Sequence, residues 1–464
     1  DSASNNPSIG TDLTLSDLIV KTGASLYIAP NGSVTISGEF NNTGTINMDS
    51  SASAFSSLIV SGTSTGDVIY NRYVNSVDND EWDLVGSPVG GLSISSFVNT
   101  NDSGNLASAN VNGVDYWAVG IYDNATNSWE NYSGATGNSW QAGSFGLGRG
   151  YQMATVSGGG NLIFTGSVRS SDQSFQVINY DGNVDANNVA LGGTQWNLVS
   201  NPFPSYVNAT DGADSENNFL KTNLATNAID SQFLGIYAWN GTDYTPYGHD
   251  DTVYIAPGQA FMVAAAASSE AVMLTMEAGT RTVTGTDDFI SGDVMDATEV
   301  YLRVYHGDAL IEDTHIKFQD NMTLGLDPGY DLGNYYQDAA ISTRLIEEDQ
   351  GTNFAHQQLP VDAMENAVIP LVINQVAGQE FRINLHTATI PDPNVYLEDV
   401  EEGTFTNLYE GDFVMTPESD LSGAGRFFIH MSADTMSNED VSTSLLNAYK
   451  EIDASYITIE GLAT

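Results

Sequence analysis

The first chemistry this sequence offers lies in four groups of closely spaced carboxylates. They are Asp78, Asp80 and Glu81; Asp181 and Asp185; Asp287, Asp288 and Asp293; and Asp327 with Asp331. Aspartates a few positions apart in turn-rich segments supply the hard oxygen ligands that calcium takes several at a time. The phrase Asp-Pro-Gly-Tyr-Asp over 327–331 is the first choice for such a site, followed by Asp287, Asp288 and Asp293. None of the groups matches an EF-hand loop. Calcium is therefore the one candidate cofactor. The plain alternative for 327–331 is a turn, with Pro328 and Gly329 supplying the dihedrals and the aspartates capping it.

Catalytic chemistry finds less to work with. Gly62-Thr63-Ser64-Thr65-Gly66 fits the G-x-S-x-G pattern of a nucleophile elbow. An elbow needs a helix after the serine, and the strand-like DVIYNRYV follows instead. The six histidines are His249, His306, His315, His356, His386 and His430, and none forms an H-E-x-x-H pair. His306 and His315 are placed to meet on successive strands. No cysteine is present, which removes disulfides, thiolate metal sites and Cys nucleophiles. The chain is read as a non-enzyme, with no catalytic residues assigned.

Aromatic residues are the other binding chemistry. Trp117, Trp129, Tyr132, Trp140, Trp239, Tyr244 and Tyr247 gather in loops or strands where exposed rings would stack on sugars. Core packing is the simpler role. It is favoured by Tyr122 and Tyr237, which recur at equivalent places without needing a ligand.

Composition sets the limits. The 464 residues exceed one core, so several domains are expected. The charge balance is 59 acidic residues to 12 basic, a net −47. So few cations leave most carboxylates unpaired and solvated, which suits a salty medium. Nucleic acid is excluded as a partner, because nothing would neutralise its phosphates. No apolar run reaches the roughly 18 residues of a membrane span.

The elements that must position these residues are strands. Residues 1–73 break into short alternating runs ending in Gly, Asn or Ser, the pattern of solenoid-like rungs, with a β-sandwich as the alternative. EWDLVGSPV around Trp82 returns as TQWNLVSNPF around Trp196. VGIYDNATNSWENY and GLGRGYQM return as LGIYAWNGTDYTPY and APGQAFMV at nearly the same spacing. This marks two duplicated sandwich or jelly-roll units, over 74–189 and 190–280. SENNFLKTNLATNAI is one of few helix candidates, and the tail MSNEDVSTSLLNAYKEID is another place for a helical turn. A further all-β sandwich is expected over 299–432, followed by a linker and a lone terminal strand within 433–464.

At 327–331 and at the phrase W-N-L-V-S-N-P-F-P from Trp196 to Pro204, the chain resembles secreted cell-surface proteins of Bacteroidota. VIPLVINQVAGQEFRINL and GRFFIHM look like later strands of the same module. The resemblance implies an extracellular, cell-surface location, export by the type IX secretion system, and O-glycosylation of D-[ST]-apolar phrases; separately, with no signal peptide in the sequence, Asp1 is read as a mature N-terminus. Ser2, Thr252 and Thr435 fit that phrase. SYITIEGLAT looks like the opening strand of a sorting domain.

The functional expectation is a non-catalytic structural or adhesive protein, a self-assembling fibre or filament subunit whose partner is itself. Strand addition by Tyr456, Ile457 and Ile459 into a neighbour's open sheet edge would make the joint. A lectin-like glycan-binding protein is the alternative, and a secreted hydrolase the third reading.

Overall fold

A computed structural model describes residues 7–75, 82–102, 104–134, 143–156, 158–184, 188–267, 271–285, 298–390, 394–432, 447–449 and 458–460. Strands dominate, and the only α-helices among the described residues are the short Ile94–Asn101 and Phe219–Ala225. The fold is all-β. The chain divides into two compact units. One is Asp1–Ser231 with Gly235–Asp293, the other Gln232–Leu234 with Val294–Thr464.

The first unit begins with a three-sided parallel solenoid. β1 (Ser8–Ile9), β2 (Asp12–Leu15) and β3 (Leu18–Val20) form its first rung. The second rung is β4 (Ser25–Ile28), β5 (Ser33–Ile36) and β6 (Phe40–Asn42). The third is β7 (Thr45–Ser51), β8 (Ala54–Phe55), β9 (Ser57–Val60) and β10 (Ser64–Thr65), and β11 (Asp67–Val74) opens a fourth. Three parallel sheets stack the rungs: β1-β4-β7-β11, β2-β5-β9 and β3-β6-β10. Alternation in each short run sends every second residue inward, so Leu13, Val34 and Leu58 align in one ladder and Leu15, Ile36 and Val60 in the next. The corners must let backbones stack closely. A Cβ on Gly62 would lie 2.1 Å from the carbonyl oxygen of Gly38 one rung away.

The rungs do not end in a linker. β11 runs antiparallel to the strand Gly160–Ser167, register for register from Asp67–Ser167 to Val74–Gly160. One apolar core continues from Ile28, Val34 and Phe40 in the rungs to Phe97, Tyr151 and Phe164 beyond them.

The repeat seen in the sequence is a repeat of strand order. The first copy contains β12 (Asp83–Val85), α1 (Ile94–Asn101), β13 (Ser108–Val111), β14 (Val114–Asp123), β15 (Ser128–Ser133), β16 (Tyr151–Met153) and β17 (Gly160–Ser167). After β18 (Gln173–Val177), the second has β19 (Trp196–Ser200), β20 (Tyr206–Asn208), α2 (Phe219–Ala225), β21 (Ile236–Trp239), β22 (Tyr244–Tyr247), β23 (Tyr254–Ile255), β24 (Ala260–Ala264) and β25 (Val272–Met276), closed by β26 (Arg281–Thr282). Pairing runs β12-β16-β14-β15 in one copy and β19-β24-β21-β22 in the other. The expected boundary near residue 190 is crossed by pairing, because β18 pairs with β25.

Each copy carries one short α-helix, after β12 in the first and after β20 in the second. Ser93 caps α1 by accepting from the Ser96 amide, and Asn218 caps α2 by accepting from the Lys221 amide. A buried asparagine near each helix end clamps an edge strand. Asn101 donates to the carbonyls of Phe97 (2.9 Å) and Ile163 (3.1 Å) and accepts from the Ile163 amide (2.8 Å). Asn223 does the same with Phe219 (2.8 Å), Thr275 (2.9 Å) and the Thr275 amide (2.9 Å). One amide side chain so satisfies the backbone donor and acceptor of a strand that has no further neighbour there.

The second unit holds one 11-stranded sheet, beginning with Glu299–His306 and ending with Phe427–Ser432. Its pairing is antiparallel except where Ala309–Phe318 lies parallel to Phe354–Leu359. The sheet curls around a single core that includes Leu302, Ile316, Leu371, Ile383, Leu397 and Ile429. The terminal strand is not alone, contrary to expectation. Thr458–Glu460 pairs antiparallel with Asn447–Tyr449, and Ile459 lies opposite Ala448.

Candidate functional site

The favoured calcium loop is a capped turn. Asp331 is fully buried, and its two carboxylate oxygens accept from the amides of Gln358 (2.7 Å) and Asp327 (2.6 Å). The Asp327 carboxylate accepts from the amide (2.6 Å) and hydroxyl (3.1 Å) of Thr323. Burial pushes the Asp331 carboxyl up to about 7, against the two amide hydrogen bonds that pull it down. Both Asp331 oxygens and one Asp327 oxygen thus already accept hydrogen bonds, as the aspartates of a capped turn do. No group of three or more His, Asp or Glu suited to a metal occurs among the described residues. Asp287, Asp288 and Asp293 lie outside the described residues, as do Asp78, Asp80, Glu81 and Asp185.

The histidines are dispersed into structural pairs. His306 opposes Ala309 and bonds to Gln375 at 2.6 Å, so it does not meet His315. His315 instead neighbours His356 across the parallel pair and bonds to Glu299 at 3.0 Å. His430 bonds to Glu398 at 2.6 Å. Ser64 sits in β10 at a solenoid corner, and Gly66, at φ +93°, leads into strand β11 rather than a helix, so the elbow motif is a rung corner.

Of the aromatics named as sugar-stacking candidates, Trp117 and Tyr132 are buried, and Trp239, Tyr244 and Tyr247 are half-buried. Trp196 meets the fully buried Tyr237 edge-on at 4.6 Å, and Trp117 is buried with its indole N–H donating to Asp102 at 2.6 Å. Trp129 differs: it is exposed and lies 5.1 Å from Tyr122. Trp140 lies outside the described residues. Of the glycosylation candidates, Thr252 is exposed, and Ser2 and Thr435 lie outside the described residues.

Two features that sequence reasoning missed organise the first unit. The first is the junction of the two copies. The Gly86 amide donates to Gly258 at 2.7 Å, and its counterpart, the Ser200 amide, donates to Gly148 at 2.8 Å. Val85 bridges Gln259, and Val199 bridges Arg149. GLGRGYQM and APGQAFMV align so that Gly148 matches Gly258 and Arg149 matches Gln259. The contacts are thus reciprocal, the signature of a two-fold. Arg169 fastens this junction, donating to the carbonyls of Pro202 (2.7 Å) and Ser87 (3.4 Å), one from each copy. Burial lowers its guanidinium to about 10. Arg72, fully buried, holds the rungs to both copies: it faces Asp83 at 3.6 Å and donates to Gln259 (2.8 Å) and Pro257 (3.2 Å). Beside the junction opens a cleft of about 310 Å³ that includes Tyr122, Arg149, Phe175 and Tyr180.

The second feature is the end of the solenoid. Among the described residues β1, β2 and β3 pair on one side only, with β4, β5 and β6. Leu13 occupies the inward ladder yet is 38% exposed, where Val34 and Leu58 beneath it are 0% and 1%. Among the described residues nothing covers the apolar interior at this rung. The signal was legible only in part, since Leu13 reads as an ordinary core residue until its exposure is seen.

No helix among the described residues is long and apolar enough to cross a membrane. No curated protein and no solved structure matches the chain. The pattern of a domain of unknown function, DUF8693, matches residues 1–431, through the solenoid, the paired copies and the 11-stranded sheet. The chain belongs to the DUF8693 family.

Proposed function

We propose that this chain is a non-catalytic, extracellular structural or adhesive protein that assembles with copies of itself on a cell surface. The observation that carries the reading is the open first rung. Among the described residues its strands present a row of unpaired amides and carbonyls on the side away from β4, β5 and β6, beside an apolar interior. Such an edge is a template for strand addition. The terminal hairpin offers a strand to add. A two-stranded ribbon is marginal by itself, so Thr458–Glu460 can exchange its partner at small cost.

The surface charge fits this role. A net −47 keeps a strand-rich protein soluble and disfavours random contacts, while the solenoid end carries Leu13 and Ile19 exposed. The resemblance to exported Bacteroidota surface proteins supports the same setting. Sedimentation of the intact chain beside a chain lacking residues 455–464 tests the joint. Assembly lost on deletion supports it, and assembly unchanged rejects the hairpin as the added element.

A lectin-like role is the second reading, favoured by exposed Trp129 against Tyr122. Calcium enters as an arm of the assembly test, through the segment containing Asp287, Asp288 and Asp293.

A further inference from the structure

The cleft beside the two-fold junction has no part in assembly at the rung. Its chemistry is unlike the rest of the molecule. None of the fourteen described residues lining it is Asp or Glu, in a chain with 59 acidic residues, and one is among the 12 basic ones. That residue, Arg149, is exposed. Its guanidinium makes one long hydrogen bond, 3.3 Å to the Tyr122 carbonyl, and no ion pair among the described residues. Two neighbouring described carboxylates do not line the cleft: Asp123 caps the Ala125 amide at 3.0 Å, and Asp181 is exposed. Most guanidinium donors of Arg149 are therefore unspent.

Other polar groups in the lining are also unspent. Among the described residues the Asn124 side-chain oxygen, the Gln176 amide and the Tyr180 hydroxyl make no hydrogen bonds. An apolar wall stands beside them. Gly148, at φ +63°, lets the ring of Phe175 lie against the backbone, where a Cβ would come within 2.1 Å of it. The volume is at the lower end of small-molecule sites, near 300 Å³. A planar cationic fork, neutral amides, a phenol and an aromatic wall match a ring with an apolar face, a rim of hydroxyls and one anionic group.

We propose that this cleft binds an acidic saccharide. Arg149 takes the sugar carboxylate as a bidentate pair, and Asn124, Gln176 and Tyr180 take ring hydroxyls. Phe175 forms the apolar wall. The net charge of the protein repels anions at long range, but salt confines that field to a few ångströms and leaves the close pairing in place. The proposal stands apart from the assembly reading, which can fail without affecting it.

Calorimetry on the intact chain in about 0.5 M sodium chloride, where the long-range field is screened, tests the site. The probes are digalacturonate, a neutral digalactoside and acetate. Digalacturonate is expected to bind saturably, with each of the other two at least about tenfold weaker. Arg149→Gln is expected to cost at least about tenfold through the lost charge-assisted pair, and Gln176→Ala a smaller factor. Arg149→Lys, which keeps the charge without the fork, falls between wild type and Arg149→Gln. Circular dichroism of each variant separates lost binding from lost fold. No binding of digalacturonate up to about 10 mM, or equal binding by folded Arg149→Gln, overturns the proposal. Acetate binding as tightly as digalacturonate also overturns it, leaving a simple anion pocket.

Discussion

The Gly86 amide donates to the Gly258 carbonyl at 2.7 Å, and this bond is repeated with the copies exchanged, from Ser200 to Gly148. The close approach depends on the missing side chain at Gly86. A Cβ there would lie 1.9 Å from the Ser200 hydroxyl and 2.8 Å from the Arg149 carbonyl oxygen. Gly86→Ala is expected to destabilise the first unit by about 1–3 kcal/mol through overpacking. Adding Ser200→Gly should restore much of the loss. Gly279→Ala, with open space around it, should change stability by less than about 0.5 kcal/mol. Urea unfolding of the three variants checks this, and equal effects of Gly86→Ala and Gly279→Ala would contradict it.

Arg72 and Asp83 form a buried charge pair at the meeting point of the rungs and both copies. Arg72→Ala is expected to cost about 3–5 kcal/mol, since it strands a buried carboxylate. Arg72→Met with Asp83→Asn should recover most of that, because the cost lies in the uncompensated charge. A double variant as unstable as Arg72→Ala would show that the hydrogen bonds to Pro257 and Gln259 matter more.

Asn101 and Asn223 make equivalent clamps on Ile163 and Thr275. Replacing either by Ala leaves half-buried backbone groups of an edge strand unpaired, at about 1–2 kcal/mol each. Hydrogen exchange should speed up at the Ile163 amide in one variant and at the Thr275 amide in the other. Loss of protection in only one of the two would break the equivalence of the copies.

Asp331 gives stability a pH dependence of known sign. Its carboxyl titrates near 7 in the fold and near 3.8 when unfolded, so the folded state binds the extra proton between those values. Its contribution is therefore largest below about 4 and is lost as pH rises to about 7. General acidic repulsion has the same sign, so the comparison must be with Asp331→Asn. The stability of wild type minus that of the variant should fall by roughly 2–4 kcal/mol from pH 4 to pH 7. A difference that stays flat or rises would mean that Asp331 remains ionised throughout.

Local pattern made part of this legible. The alternating runs and Gly corners before residue 74 are a solenoid because each rung is decided by its own residues and the one beneath. The Trp82 and Trp196 phrases mark the duplication because they fill the same strand, and SENNFLKTNLATNAI contains α2, whose cap is Asn218. Helix α1 was hidden, since ISSFVNTN is poor in helix formers and is held by packing of Ile94, Phe97 and Val98. The two-fold junction rests on backbone bonds between segments far apart in sequence, which no side-chain pattern announces. Arg149 had no local mark either. Its significance lies in a lining that, among the described residues, holds no carboxylate.

The central claim is that copies join through the open rung at Leu13. Negative-stain electron microscopy of the intact chain, with and without a calcium chelator, should show filaments or end-to-end chains. Leu13→Asp puts a charge at the open end of the ladder and should leave single particles while the fold, checked by circular dichroism, persists. Chelator-sensitive filaments would add calcium to the joint. Single particles throughout for the unaltered chain, or filaments undisturbed by Leu13→Asp, would contradict the account.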